Sequence, residues 1–320
     1  MNIRKYGKKP KKIVEKELFI KNWRPIEGWL IEDKNNTFVL PINHSTLGEK
    51  FFNSYKTSVK RSFLYLFLTA LLVFAVLTFT SISQPVEHII FFSMLFIFSS
   101  FDMGLSIKTF QNCKQKVEFL FEIHKSFKNT CLFFAPFFLL IWLIQLYASD
   151  KLGGLEPLVI LFGNYYPEID ICSVWRFVIG PLLHGDINHW LINSVLTIIF
   201  ASMLPTTKNI LVFCLFYLGA VVSHITTFAI HSLYNTPFDS LLGVSGGAYT
   251  LLAYTISYYF HKKYLNVALS LFVLVIFTEI SVSILSNNTS HSAHLSGLVI
   301  GFLAYAIKIQ KYSSFPISRT

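Results

Sequence analysis

The sequence predicts an all-α polytopic membrane protein, and three observations carry that prediction. Its 320 residues are 53% hydrophobic and only 14% charged. Its mean hydropathy is positive. Apolar runs of about 20 residues, the length that crosses a hydrocarbon core roughly 30 Å thick, recur along the chain. They lie near 63–82, 88–106, 131–148, 187–204, 209–231, 245–260, 265–285 and 293–309. A composition so apolar excludes an ordinary soluble domain.

The net charge of +10 would suit a nucleic-acid partner, but its distribution excludes one, because 14 of the 27 Lys and Arg residues precede residue 62. A basic segment beside the first span is expected to meet membrane lipid instead. With the N-terminus in the cytoplasm, all basic residues except Lys151 and Arg176 fall on or next to the inner side, so the positive-inside rule places both termini there. The first strongly apolar run starts more than 60 residues in and has full spanning length, which predicts a retained anchor rather than a cleaved signal peptide. Of the four cysteines, Cys172 alone falls in a predicted outer loop, so no disulfide framework is implied.

The organisation follows from these runs. Residues 1–61 form a basic cytoplasmic N-terminal segment, 62–107 an additional transmembrane hairpin turning around Ser83, Gln84 and Pro85, and 108–130 a polar cytoplasmic linker. Residues 131–309 form a six-helix core and 310–320 a cytoplasmic tail. Within the first segment, Lys8, Lys9, Lys11 and Lys12 precede a stretch from Trp29 to Phe52 with Phe38, Val39, Leu40 and the turn formers Asn35 and Asn36. It reads as a small module or, the favoured expectation, as a partly ordered basic tail on anionic lipid. The outer connection 150–185 is long and carries Tyr165, Tyr166, Trp175, Arg176 and Phe177, a composition suited to the membrane interface. The absence of an internal repeat gives no support to a transporter built from inverted halves.

Polar and ionisable residues inside spanning segments are costly, and so are functional candidates when partners are at hand. The fourth segment brings His184, His189 and Asn193, the sixth Ser245 and Tyr249, and the eighth His294, all at one depth toward the outer leaflet. Ser245 sits in Leu242-Gly243-Val244-Ser245-Gly246-Gly247-Ala248-Tyr249, at a helix start where free backbone N–H groups and the positive dipole end can stabilise an anion. Tyr249 is four residues on and shares its face. Ser and Gly are also common wherever membrane helices pack closely, so this string alone is weak. The eighth helix adds His294, Gly297 and Gly301 at i, i+3 and i+7. That small-residue face would bring His294 beside a neighbouring helix as a general base for Ser245. His189 and Asn193, four apart, offer either an oxyanion-binding pair of donors or an interhelical hydrogen-bond pair. His184 is placed to order the preceding loop or His189.

His224, Asp102 and Glu279 read as single groups without an evident partner set, in structural or interfacial roles. No metal site is expected, because no His-Glu-x-x-His helix occurs and no carboxylate sits directly beside His184, His189, His291 or His294. No cofactor is implied. Water must reach Ser245, which predicts a cavity open to the outer side between the loops Tyr234–Leu242 and Ser286–Ser292.

These strings together resemble the rhomboid intramembrane serine proteases: Trp175-Arg176 in the first loop, then His184, His189 and Asn193, Gly243-Val244-Ser245-Gly246 with Tyr249, and His294 with Gly297 and Gly301. The resemblance covers roughly residues 131–309, with the basic segment and the hairpin as additions before the core. It implies a Ser245–His294 dyad without an aspartate, Tyr249 packing on His294, and an oxyanion hole of His189, Asn193 and the Ser245 N–H. It implies a Trp175-Arg176 loop that enters the membrane sideways, and transmembrane protein substrates cut in or near their spans. By analogy it also implies a bacterial cytoplasmic membrane with the site toward the non-cytoplasmic face. The Gly-Gly-Ala run before Tyr249 departs from the family pattern and bears on the substrate pocket. Relatives lacking the Ser or His bind membrane clients without cutting them, which leaves a non-proteolytic client-binding protein as the alternative.

Overall fold

The computed structural model describes residues 2–13, 15–79, 85–204, 208–234, 239–285 and 290–313. The expected hairpin turn at Ser83 and Gln84, parts of both loops expected to bound the cavity, and most of the C-terminal tail lie outside these residues. In chain order the elements are β1 (Asn2–Lys5), β2 (Lys11–Lys12), α1 (Lys16–Asn22), β3 (Trp29–Glu32), β4 (Phe38–Val39), α2 (Gly48–Phe79), α3 (Pro85–Ile107), α4 (Phe110–Leu152), α5 (Leu155–Phe162), β5 (Asn164–Tyr165), α6 (Arg176–Ile179), α7 (Ile187–Met203), α8 (Asn209–Tyr234), β6 (Ser240–Leu241), α9 (Ser245–His261), α10 (Leu265–Leu285) and α11 (His291–Ser313). They form two compact units, Met1–Lys125 with Tyr259–Thr289, and Ser126–Tyr258 with Ser290–Thr320.

The first unit corrects the expectation of a partly ordered tail. Its N-terminal residues form an antiparallel sheet in the order β2-β1-β3-β4, with Ile3 opposite Ile31 and Ile31 opposite Val39. Strands this short show no period in the sequence, and a sheet this small is marginal without a cover. The cover comes from helices that follow the sheet. Ile3, Trp23, Ile31 and Ile42 share a core with Phe51 and Tyr55 of α2 and with Cys113 and Val117 of α4. The Trp23 and Phe51 rings meet edge to face at 5.3 Å. The β3–β4 turn uses Asn36 in the left-handed region at φ 57, a conformation that Asn tolerates. Beside it, a hydrogen bond from the Ser45 hydroxyl at 2.6 Å is the main cause holding the Asp33 carboxyl below its usual range.

The same unit packs α2 against α3 and α3 against α10, with Phe98 stacked on Phe277 at 5.6 Å. Asp102, read from the sequence as having no evident partner, forms an ion pair with Lys116 at 2.7 Å. The partner follows a reversal of the chain after α3, which spacing along one helix does not reveal.

The stretch expected as a linker is helical, and α4 runs unbroken through it from Phe110 to Leu152. Its Lys, Glu and Gln residues are good helix formers, and at about 1.5 Å per residue the helix far exceeds a bilayer's hydrocarbon thickness.

Among the described residues, three helices are long and apolar enough to cross a membrane: Phe110–Leu152, Asn209–Tyr234 and His291–Gln310. Ser93–Ile107, Ile187–Met203 and Leu265–Ser281 are shorter apolar helices. Lipid-facing positions are recognisable as exposed apolar side chains, such as Leu139, Leu143 and Ile144 of α4 and Leu295, Val299 and Leu303 of α11. Helix α9 differs, because most of its residues, including Thr250 and Thr255, are buried within the protein. Small and polar residues suit a helix enclosed by other helices, which is why α9 falls short as a span by composition.

If α2 and α4 hold the sheet, removing the large buried ring of Phe51 should unlatch it. Phe51→Ala is expected to destabilise the N-terminal module by about 3–5 kcal/mol and to make residues 2–47 sensitive to limited proteolysis in the full-length protein. Unchanged proteolysis would show that the sheet stands without the helix.

Candidate active site

The site lies in the second unit and begins with a strand pair. β6 runs antiparallel to β5, with Asn164 opposite Leu241 and Tyr165 opposite Ser240, and the Tyr166 N–H donates to the Asp239 carbonyl at 2.7 Å. This pairing fixes the chain shortly before Gly243, whose φ of +94 is open to glycine and strained for other residues. The Val244 carbonyl then accepts from the N–H groups of Gly247 and Ala248, at 2.9 and 3.3 Å, and starts α9. Ser245 and Gly246 fall in the first turn, where the helix supplies no acceptor for their N–H groups.

His294 occupies the first turn of α11. Its Nε2 lies 2.9 Å from the Ser245 hydroxyl oxygen, and the Tyr249 ring stacks on the imidazole with centroids 4.4 Å apart and an 11° interplanar angle. A neutral imidazole that accepts from the hydroxyl through Nε2 carries its proton on Nδ1. The approach of α9 and α11 depends on absent side chains, since a Cβ on Gly297 would overlap the Gly246 carbonyl. A Cβ on Gly301 would come within 2.8 Å of the Ala253 methyl. The Thr250 hydroxyl spans the gap, within 2.9 Å of the Gly246 carbonyl and 3.0 Å of the Gly297 carbonyl.

Helix α7 brings the next pair. The Asp186 carboxylate caps it by accepting from the His189 N–H at 2.8 Å. A methyl placed on Gly243 would lie 2.7 Å from His189 Nε2 and 3.0 Å from Asn193 Nδ2, so both side chains converge on the turn two residues before Ser245. Asn193 is buried, and its Nδ2 has no hydrogen-bond partner among the described residues.

His184 stands one step back. Its backbone is bound in both directions by Gln145, whose Nε2 donates to the His184 carbonyl at 2.6 Å and whose Oε1 accepts from the His184 N–H at 2.9 Å. Its ring meets His189 edge to face at 5.2 Å. Arg176 opens α6 and donates through Nη1 to the Ile160 carbonyl at 2.7 Å, near the C-terminal end of α5, where a cation is favoured. Its Nη2 reaches Glu168 at 3.4 Å. Trp175, partly exposed, meets Phe162 edge to face at 6.1 Å. This pair braces the first loop.

Gln145, Asn164 and His224 do not stand out in the sequence as parts of this arrangement. His224, read there as a single group, is enclosed and bridges two elements: Nε2 lies 2.9 Å from the Gly243 carbonyl, and Nδ1 meets the Asn164 amide. No sequence signal marks it, because one partner is a distant loop residue and the other a backbone oxygen.

Comparison with known proteins bears on the same region. Residues 172–311 match the family model described as "Rhomboid domain", a range that includes Ser245, His294, His189, Asn193, His184, His224 and the Trp175-Arg176 pair. Over 141 residues, 43% of this chain and 68% of the relative, the sequence is 28% identical to "Putative rhomboid protease YdcA" of Bacillus subtilis (strain 168). No solved structure is significantly similar to the chain. The segment that carries the serine, the histidines and the glycine contacts between their helices thus matches a rhomboid domain, and the chain that holds it is an integral membrane protein.

Proposed function

We propose that this protein is an intramembrane serine endopeptidase, with Ser245 as nucleophile and His294 as general base. It would hydrolyse a peptide bond in or near the transmembrane segment of a membrane-anchored substrate. The observation that carries the reading is the 2.9 Å hydrogen bond between Ser245 and His294, with the serine in the first turn of α9. The match to the rhomboid domain supports intramembrane proteolysis in general; the residue roles rest on the geometry.

In this scheme Ser245 Oγ attacks the scissile carbonyl carbon while its proton passes to His294 Nε2. The carbonyl oxygen becomes an oxyanion, which takes hydrogen bonds from the side chains of His189 and Asn193 and from the Ser245 N–H. His294 then returns the proton to the departing amine nitrogen, the C–N bond breaks, and an acyl ester remains on Ser245. Water attacks that ester, giving one proton to His294 and releasing the new carboxyl terminus as Oγ regains its proton. Tyr249 holds the imidazole plane throughout. No step calls on a metal or a cofactor. The Asn193 Nδ2 group, without a partner among the described residues, fits this role, because leaving a buried donor unsatisfied costs about 1–3 kcal/mol and a developing anion would supply the acceptor.

The charge distribution supports termini in the cytoplasm and a site toward the opposite face. In that orientation, water and substrate reach Ser245 from the outer side of the bilayer, and the exposed apolar surface of the domain meets lipid.

Wild-type protein reconstituted with single-span model substrates should cleave them. Ser245→Ala and His294→Ala should each lower the rate by on the order of 10³-fold or more with their thermal stability retained. Equal cleavage by all three would trace the activity to a contaminant and leave a client-binding protein as the better reading. Asn193→Ala should lower kcat by about 10²-fold with little change in KM; a pure KM effect would remove Asn193 from the oxyanion hole.

A further inference from the structure

Helix α8 touches the nucleophile turn with two consecutive residues. Ser223 lies under Gly246, where a Cβ would meet its hydroxyl, and His224 lies under Gly243. We propose that His224, oriented by Asn164, is a positioning residue for Ser245, holding the Gly243 peptide in the conformation from which α9 begins. This rests on the reading of Ser245 as the nucleophile.

For a neutral His224 ring the hydrogen-bond polarity of the bridge follows from its partners. The Gly243 carbonyl can only accept, so His224 Nε2 carries the proton, and the Nδ1 of a neutral ring is left as an acceptor. The Asn164 Nδ2 group supplies that atom with a donor. The chain therefore runs Asn164 N–H to His224 to Gly243 in one direction, with the tautomer set by the carbonyl at its end. Asn164 and His224 are 0% and 1% exposed, so water does not compete for either bond.

Gly243 needs such a restraint. Glycine is the residue least confined by its own sterics, and this one lies two positions before Ser245. Because the peptide unit is rigid and planar, fixing the Gly243 carbonyl also fixes the Val244 N–H and the direction in which the chain enters Ser245. Around Gly243, His224 holds the carbonyl while His189 and Asn193 crowd the Cα. A rotated Gly243 peptide would carry Ser245 away from those two side chains and from His294.

Asn164 is fixed in turn. Its backbone is paired in the β5–β6 ladder, and its side chain occupies space that Gly180 leaves free, since a Cβ there would lie 2.6 Å from Nδ2 and 2.8 Å from Cγ. The long first loop is thereby coupled to the nucleophile turn through one imidazole.

The experiment compares full-length wild type, Ser245→Ala, His224→Ala, His224→Gln and Asn164→Ala in proteoliposomes. It measures kcat and KM on one single-span substrate, the rate at which a fluorophosphonate labels Ser245, and the thermal midpoint. His224→Ala and Asn164→Ala are expected to lower kcat and the labelling rate by up to about 10²-fold, the scale of a misplacement near 1 Å, while KM stays within about twofold. His224→Gln, whose amide can donate to Gly243 and accept from Asn164, should recover most of the loss. Wild-type kcat and labelling in all three variants, with Ser245→Ala inactive, would overturn the positioning role and leave the nucleophile intact. A loss that follows the thermal midpoint and is not recovered by Gln would reduce His224 to packing and overturn it as well. Wild type no more active than Ser245→Ala would remove the nucleophile, and the positioning role with it.

Discussion

Everything at the candidate site depends on the backbones of α9 and α11 meeting at Gly246 and Gly297. Inside a bilayer, apolar side chains gain nothing by leaving lipid for one another, so helices are held by close van der Waals contact and by polar groups that find partners. The missing Cβ atoms supply the first, and the Thr250 hydroxyl, shared between the Gly246 and Gly297 carbonyls, supplies the second. Ser245 and His294 both stand in the first turns of those helices, so the contact that binds the pair also sets the hydrogen bond between the two side chains. A stabilising interaction and a chemical one are here a single piece of geometry.

Around that contact the domain arranges buried polar groups in layers. His189 and Asn193 crowd the turn before the nucleophile, His184 stands behind His189, and Gln145 binds the backbone of His184. His224 and Asn164 form a second arm from the opposite side. Buried polar side chains are costly unless paired, and each arm ends on a backbone group that would otherwise be less constrained. Among the described residues, His184 Nε2, Asn164 Oδ1 and the amide nitrogen of Asn193 are buried without a hydrogen-bond partner, and Asn193 is the one of these that crowds the turn leading to Ser245.

How much of this could be read from the sequence depended on where each residue's partners lie. The all-α membrane class was legible from composition and run length. The grouping of Ser245, Tyr249, His294, His189 and Asn193 was legible because each lies in a short string whose neighbours share a helical face. His224 was not, since its partners are a loop residue 60 positions earlier and a backbone oxygen. Asp102 was misjudged for a similar reason, its Lys116 partner lying beyond a chain reversal. The N-terminal sheet escaped because its strands are two to four residues long and its core is completed by Phe51, Tyr55, Cys113 and Val117 from helices that follow. Apolar run length also marked α9 as a span, although burial within the protein leaves it rich in Ser, Thr, Gly and Tyr.

That composition has a consequence for how the protein is made. A segment enters the membrane from the translocation machinery according to the free energy of moving its side chains into lipid, and leucine-rich segments partition readily while glycine, serine and threonine contribute little. The helix that opens with Ser245 is therefore a poor candidate for insertion as a solitary segment. Its neighbour α8, with its long apolar run, can enter first and offer the Phe216 and Gly219 surface against which Gly247 and Thr250 come to rest. Membrane integration of the nucleophile helix is in that sense a folding step as well as a partitioning step, completed by protein contacts that exist only once its partners are in place.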